Sequence, residues 1–543
     1  MEKAVGHISD RSITVSEFLY LISFAILCVG KALGLYEGMP VFNWIMTAAL
    51  LILVLKILLT DYTRVEWIIM TAAIVVAFFV YHNTGEKGML VNVLMMCGLK
   101  RVSEKRIFRV GFTIWSIGFL LLMWLTESGI RPETYYMHDK SGIGYMLCHA
   151  LGYSHPNVFH VTYLVLAAYL IYLIGSGVRR KAKITVSILL LAGNFYIFLY
   201  SGSFTGFIAT CFFIFLYLYF SFRRQFTWFE KGMILFFLPA CELFSIAGPV
   251  LLKGRVFEAI NRLTNTRYYL SRYFLTQQPI TLFGTRFVTP NYRYTMDCSY
   301  VYLFMQLGIV PFLAISIILF LTIKDAILHN RYTRLTIILG LCAAGVTEPF
   351  LFNLSFRNLT LLFAGEYLFT LGDRAVRSNS DGWLYQSVIL LRGGERKTGI
   401  ICLTAERIQM IVFQFFKTIY RKQVKYLTAF GVAGCLAVTL FLIRTDSPQY
   451  IYINSEVNEN RSLKGERLSE TDVEAIQKSG DIVLDYKGED DPMYAYDGSA
   501  ARIYRLDQVG SVFLWSGSAT VIVICAFQNR KCRRIRKNMS DGN

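Results

Sequence analysis

The residues best suited to chemistry lie in one run, Lys253 to Ser299: KGRVFEAINRLTNTRYYLSRYFLTQQPITLFGTRFVTPNYRYTMDCS. It holds seven basic side chains (Lys253, Arg255, Arg262, Arg267, Arg272, Arg286 and Arg293) against two acids, Glu258 and Asp297. A guanidinium suits phosphate because it stays charged and donates two parallel hydrogen bonds. Arg262, Arg267 and Arg272 stand five apart among aromatics. On one helix that spacing spreads them over different faces rather than along a stripe. The run reads as an anion site for a diphosphate-linked lipid, or as headgroup anchoring by snorkelling side chains.

Three more stretches carry reactive or polar groups. In LGYSHPNVFH, His155 precedes Pro156, a residue at home in a helix's first turn, and Asn157 and His160 follow. A histidine there could act as a base or hold a hydroxyl or phosphate; a polar loop–helix junction is the plainer role. In LYSGSFTGFIAT, the hydroxyls of Ser201, Ser203 and Thr205 form a corner whose pattern reads as helix capping. In MDCSYVYLFMQLGIVPF, Asp297 and Ser299 open a helix, where the acid could cap, or contact an arginine or a sugar hydroxyl. Glu242 and Glu366 lie inside apolar runs and Glu348 at the end of one. Acids so placed usually face a bundle interior or a cavity. No GxxxxGK[ST], HExxH or GxSxG pattern is present, which leaves soluble-type ATPase, zincin and serine hydrolase chemistry without support.

The elements that must position these groups are membrane helices. The chain has 543 residues, is 55% hydrophobic and has a mean hydropathy of +0.45. Apolar runs fall near 14–36, 40–59, 64–82, 87–98, 107–127, 157–176, 184–200, 206–222, 231–252, 299–323, 332–350, 358–371, 425–443 and 509–527. About 20 apolar residues span the hydrocarbon, so these runs predict about 14 transmembrane helices, the short fourth being the weakest. If the chain starts inside, the clusters at Lys100–Arg106, Arg179–Lys183, Arg223–Arg224, Lys324–Arg334 and Arg530–Lys537 all land on the cytoplasmic side, as do both termini. The basic run 253–298 then lies outside, against the usual bias, and an anionic ligand is the simplest reason. The net charge of +18 belongs mostly to short loops, so no nucleic-acid partner is expected. No cleaved signal peptide is expected, since MEKAVGHISDRS has no short apolar region followed by a small-residue cleavage site.

The eleven cysteines form no CxxC pair; Cys148 and Cys298, both in outside loops, could form a disulfide. Residues 1–371 read as a polytopic core. The stretch 372–424 reads as a cytoplasmic linker with an interfacial amphipathic helix through Ile408, Ile411, Val412, Phe415 and Ile419. Residues 425–543 read as two further crossings around the outside region 445–508, whose net charge is −7 between Asp446 and Asp507. That region reads as an acidic surface or, at Glu489, Asp490 and Asp491, a calcium loop. Neither an internal repeat nor paired interrupted helices of the transporter kind is evident.

Taken together, the four stretches resemble the O-antigen polymerase and ligase superfamily of Wzy-type polysaccharide polymerases. The likeness rests on Gly152–Tyr153–Ser154–His155–Pro156–Asn157, on the hydroxyl corner, on Thr266–Arg267 running to Leu282–Phe283–Gly284, and on Asp297–Cys298–Ser299–Tyr300 running to Leu307–Gly308. It covers roughly 14–371. The chain departs from the pattern at Phe204, where a corner arginine is usual, at Thr266, where glycine precedes the loop arginine, and at Cys298, where asparagine follows the aspartate.

The resemblance implies a GT-C-like glycosyltransferase of a bacterial cytoplasmic membrane, acting on polyprenyl-diphosphate-linked glycan for capsule, exopolysaccharide or O-antigen. It implies Arg267 as the main diphosphate contact, with His155 and Asp297 positioning the acceptor or taking its proton. Arg262, Arg272, Arg255, Arg286, Asn157, Ser203 and Ser299 would bind substrate. No metal and no cofactor is expected. Expected partners are membrane lipids and the flippase and chain-length regulator of the same pathway. A ligase of the same superfamily, a lipid-linked-sugar transporter and a non-catalytic scaffold remain as alternatives.

Overall fold

The computed structural model describes residues 13–140, 144–175, 179–290, 294–378, 382–398, 423–448, 451–453, 469–479, 482–484, 494–496 and 498–540. Among them, eleven helices are long and apolar enough to cross a membrane, from Val15–Ala32 to Ala500–Gln528. Three shorter apolar helices, Gly88–Cys97, Tyr332–Gly345 and Thr360–Gly372, complete the set. The chain is a mostly helical, multi-pass membrane protein, and these helices fall on the apolar runs of the sequence. Their starts are chemically marked. Thr63 with Glu66 and Thr227 with Glu230 form reciprocal capping boxes, and Pro40 and Pro156 open their helices.

One end of the bundle is closed by the linker 382–398. Strand Ile13–Thr14 pairs with Lys397–Thr398, and Tyr62–Thr63 pairs with Ser387–Val388. Ion pairs reinforce this end, Lys100 to Glu66 at 2.5 Å and Arg101 to Asp61 at 2.7 Å and to Glu395 at 2.6 Å. Glu366 pairs with Arg334 at 2.6 Å, and Glu242 accepts from Ser316 Oγ at 2.6 Å, so both acids of the apolar runs have partners. The amphipathic helix expected over 408–419 and the expected calcium loop at 489–491 lie outside the described residues.

The opposite end carries an antiparallel hairpin, Tyr135–Lys140 with Gly144–His149. Met137 and Leu147 of the hairpin pack with Ile451, Ala500 and Ala501, which ties strand Ile451–Ile453 and the last helix to the core. That strand lies between Ile482–Leu484 and Tyr494–Tyr496 in a three-stranded sheet. The hairpin also rests on the hydroxyl corner, for a Cβ at Gly202 would stand 2.4 Å from Cys148 Sγ. Cys298 is a buried free thiol whose Sγ faces Gly345 O at 3.7 Å, so no Cys148–Cys298 disulfide forms.

The basic run is not one helix. Gly254–Leu263 and Arg267–Gln277 meet at a bend where Asn265 and Thr266 take φ of 51° and 69°. Arg262 therefore lies on a different helix from Arg267 and Arg272. The later turn at Gly284 docks on the helix start at 299. Ile309 N donates to Thr281 O at 3.0 Å and Val310 N to Leu282 O at 3.1 Å. Gly308, at φ 101°, permits this approach, since a Cβ there would meet Gly284 N at 2.4 Å. Just before it, Tyr302–Leu307 forms one wide π-helical turn, a local irregularity often found at functional sites.

Candidate functional site

At the hairpin end, the connector 346–359 joins helix Tyr332–Gly345 to helix Thr360–Ser378. Three of the four stretches converge on its Glu348, which is 4% exposed. Glu348 Oε1 accepts from Arg267 Nη2 at 3.0 Å and from Thr205 Oγ1 at 2.7 Å. Arg267 Nε donates to Thr347 O, and Nη1 reaches Thr264 O at 3.4 Å. Ser299 Oγ donates to Glu348 O at 2.5 Å and accepts from Leu351 N at 3.2 Å. Loop arginine, hydroxyl corner and helix start are thus clasped by one carboxylate and its backbone.

The electrostatics follow from burial. Desolvation raises the Glu348 carboxyl above the ordinary glutamate range, and the nearby charge of Asp297 adds to this; Arg267 and the Thr205 hydroxyl oppose it. Arg267 is itself 6% exposed. The expected diphosphate contact is therefore a buried guanidinium already committed to Glu348 and two carbonyls. Asp297 lies half-buried beside this pair but does not cap; the N-cap position is Cys298, without a side-chain cap bond. The helix begins at Ser299, whose hydroxyl is held by the connector instead.

The remaining expected residues are placed as follows. Ser203 is the N-cap of helix Phe204–Phe222, accepting from Gly206 N at 3.3 Å. His155 is the N-cap of helix Pro156–Ile174. Its Nδ1 accepts from Asn157 N at 3.1 Å, and its ring lies 5.1 Å from that of Tyr136. One turn further, buried His160 bonds Ser201 Oγ at 2.9 Å and Asn194 Oδ1 at 2.8 Å, which sets this helix against the corner. Arg272 clamps the end of helix Trp228–Leu251 through Pro249 O at 2.6 Å and Leu252 O, and stacks on Phe257 at 3.7 Å. Arg255 and Arg262 are exposed. Arg286, also exposed, reaches Thr84 O at 3.5 Å, on the Gly284 turn.

The sequence marked Glu348 as a buried acid but gave it no partner, and the paired residues stand 81 positions apart. Neither local spacing nor helical period connects them. In the sequence Thr205 stands out only as a corner hydroxyl, and Arg357, in the same connector, carries no signal of its own. Among the described residues, no group of three His, Cys, Asp or Glu side chains is arranged to hold a metal ion. No protein-family model, no curated protein and no solved structure matches this chain.

Proposed function

We propose that the chain is a glycosyltransferase of GT-C-like architecture that joins polyprenyl-diphosphate-linked oligosaccharide repeat units into a polysaccharide. The hairpin end is then the outer face of a bacterial cytoplasmic membrane. The observation that carries this reading is the convergence of the corner, the basic loop and the helix start on Glu348 at one end of the bundle. Convergence of distant polar stretches is what a reaction between two large substrates needs, because its catalysis depends on fixed geometry.

In the proposed reaction an acceptor sugar hydroxyl attacks the anomeric carbon of the donor. The new glycosidic C–O bond forms as the bond from that carbon to the diphosphate oxygen breaks. Polyprenyl diphosphate leaves with the electron pair, and the hydroxyl proton passes to Asp297, the half-buried carboxylate beside the clasp. Glu348 and Arg267 act as the fixed frame, while His155 and the exposed Arg255 and Arg262 guide glycan and headgroup at the rim. The cationic groups stabilise charge that grows on the leaving diphosphate.

The test uses purified protein in detergent with a lipid-diphosphate-linked repeat unit and no nucleotide sugar, with products resolved as a ladder on a gel. A ladder that disappears in a folded Asp297→Asn variant supports the reading. A single transfer onto an added acceptor points to a ligase. No product, with lipid-linked sugar crossing vesicles instead, overturns the enzyme reading in favour of transport.

A further inference from the structure

The connector that carries Glu348 holds a second buried arginine in the opposite electrostatic state. Arg357 is 6% exposed. Its Nε donates to Thr162 Oγ1 at 3.1 Å, and its guanidinium lies 5.0 Å from the ring centre of Trp115 and 6.0 Å from that of Tyr153. Among the described residues no carboxylate pairs with it, and burial pushes its guanidinium down to about 10. Among the described residues neither amino group of the guanidinium has a hydrogen-bond acceptor. Arginine does not shed its charge, so an isolated buried one is costly and needs a reason. The preceding residue adds to the cost, because Phe356 sits at φ 54°, a left-handed conformation that bulky residues rarely adopt.

Two more cations face the same place. Lys31 closes helix Val15–Ala32, with Nζ 4.2 Å from the Phe42 ring, and lies within electrostatic reach of Arg357. Arg131 donates from Nη1 to Leu33 O at 3.1 Å. Tyr153 stands among the three, feeling the charge of both Arg357 and Arg131, with its hydroxyl 3.5 Å from Ala32 O. Glu37, an acid within electrostatic reach of Lys31, pairs with Lys87 at 3.4 Å. Lys31 and Arg131 could be explained as complements to the helix's C-terminal carbonyls. That explanation does not reach Arg357, which arrives from another segment. A donor also waits there: Thr126 Oγ1 is buried without a hydrogen-bond partner, 3.0 Å from where a Cβ on Gly152 would stand, beside the Arg131 stem.

We propose that Arg357, with Lys31 and Arg131, binds the phosphate or diphosphate headgroup of a lipid-linked substrate, a role that Glu348 denies to Arg267. The inference rests on the glycosyl-transfer reading for its ligand but on Arg357 for its place.

The experiment titrates the purified full chain in detergent with geranylgeranyl diphosphate, inorganic pyrophosphate and uncharged geranylgeraniol, reading the rise in thermal midpoint. The expected result is stabilisation by the lipid diphosphate at lower concentration than by pyrophosphate, and none by the alcohol. Arg357→Gln is expected to weaken lipid diphosphate at least 30-fold, and Arg357→Lys to retain part of the affinity. Wild-type affinity in Arg357→Gln overturns the inference, as does absence of binding to the wild type. Equal potency of pyrophosphate and lipid diphosphate overturns the lipid source. If Arg357→Gln does not fold, the double variant Lys31→Gln/Arg131→Gln carries the test, with at least fivefold weakening expected and no change overturning it. The two proposals separate cleanly. A normal product ladder from Arg357→Gln sinks this site and leaves glycosyl transfer standing. Diphosphate binding lost in Arg357→Gln, from a wild type that makes no ladder, keeps the site and sinks the transfer reading.

Discussion

The Arg267–Glu348 clasp makes a quantitative prediction that needs no knowledge of substrate. Glu348→Met leaves a buried guanidinium with two carbonyl acceptors and no counter-ion, which should cost about 3–5 kcal/mol. Arg267→Met leaves a buried carboxylate with only the Thr205 hydroxyl, a similar cost near pH 8. The double variant replaces both charges by apolar groups of similar length. It should lose only ~1–2 kcal/mol, mostly from the orphaned Thr205 and Thr347 groups. The coupling between the two sites is therefore several kcal/mol, far above the ~0.5 kcal/mol scatter of independent sites. The single variants should also differ in pH response. Burial already places the Glu348 carboxyl above its unfolded value. Without Arg267 the folded state binds the proton more tightly still. Its stability is then greatest below the unfolded glutamate range and falls as pH rises through the folded value. Arg267→Met should thus recover on acidification, whereas Glu348→Met cannot, because arginine does not deprotonate. Unfolding by SDS titration in mixed micelles at pH 5 and pH 8, followed by far-UV circular dichroism, measures all four species. Additive losses in the double variant, or single variants within ~1 kcal/mol of wild type, would refute the clasp.

Thr266 occupies a left-handed position, φ 69°, directly before Arg267, so Thr266→Gly should stabilise the protein by roughly 1 kcal/mol, seen as a higher thermal midpoint. A lower midpoint would mean the threonine makes a contact that outweighs its strain. Gly308→Ala should be costly, about 3 kcal/mol or more, because its Cβ would meet the backbone of Gly284 and Leu282 at 2.4 and 2.6 Å. Hydrogen exchange should accelerate at Ile309 and Val310, whose amides bond that turn, and unchanged protection there would count against the docking. His160→Leu strands the Ser201 hydroxyl and the Asn194 carbonyl oxygen inside the bundle and should cost about 2–4 kcal/mol; an unaltered melting curve would contradict it.

What could be read in advance divides along the distance over which the physics acts. Helices that bury their own backbone announce themselves locally, so the apolar runs coincide with the helices, even at the ten-residue Gly88–Cys97. Local capping was equally legible, as at Ser203 and Pro156. Asp297 was harder, since the choice between cap and neighbour depends on where Ser299 finds its acceptor, and that acceptor is Glu348 O, 49 residues on. The bend at 265–266 placed Arg262 and Arg267 on separate helices, though their five-residue spacing looks like one pattern. The state of the arginines was the least legible. Arg267 and Arg357 have the same chemistry, and only tertiary partners, 81 and 195 residues away, show that one is neutralised and the other is not.

The two arginines are also coupled through the chain between them. Glu348 is fixed at its side chain by Arg267 and Thr205 and at its carbonyl by Ser299. From there the connector folds on itself, with Ser355 Oγ donating to Phe350 O at 2.6 Å and Arg357 N donating to Ser355 Oγ at 3.3 Å. Asn358 Oδ1 then accepts from Thr360 N, the first residue of the next helix, at 3.0 Å. Releasing the clasp should loosen the frame that holds Arg357 in its strained, uncompensated setting. Glu348→Gln is therefore expected to weaken lipid-diphosphate binding even though, among the described residues, no hydrogen bond or ion pair joins Glu348 to Arg357. Arg357→Gln, by contrast, removes an unpaired charge from the far end and should leave the Arg267–Glu348 coupling intact. Equal loss of that coupling in Arg357→Gln would show that the connector moves as one piece. Undiminished diphosphate binding in Glu348→Gln would show that helix Pro156–Ile174, through Thr162, fixes Arg357 without help from the clasp.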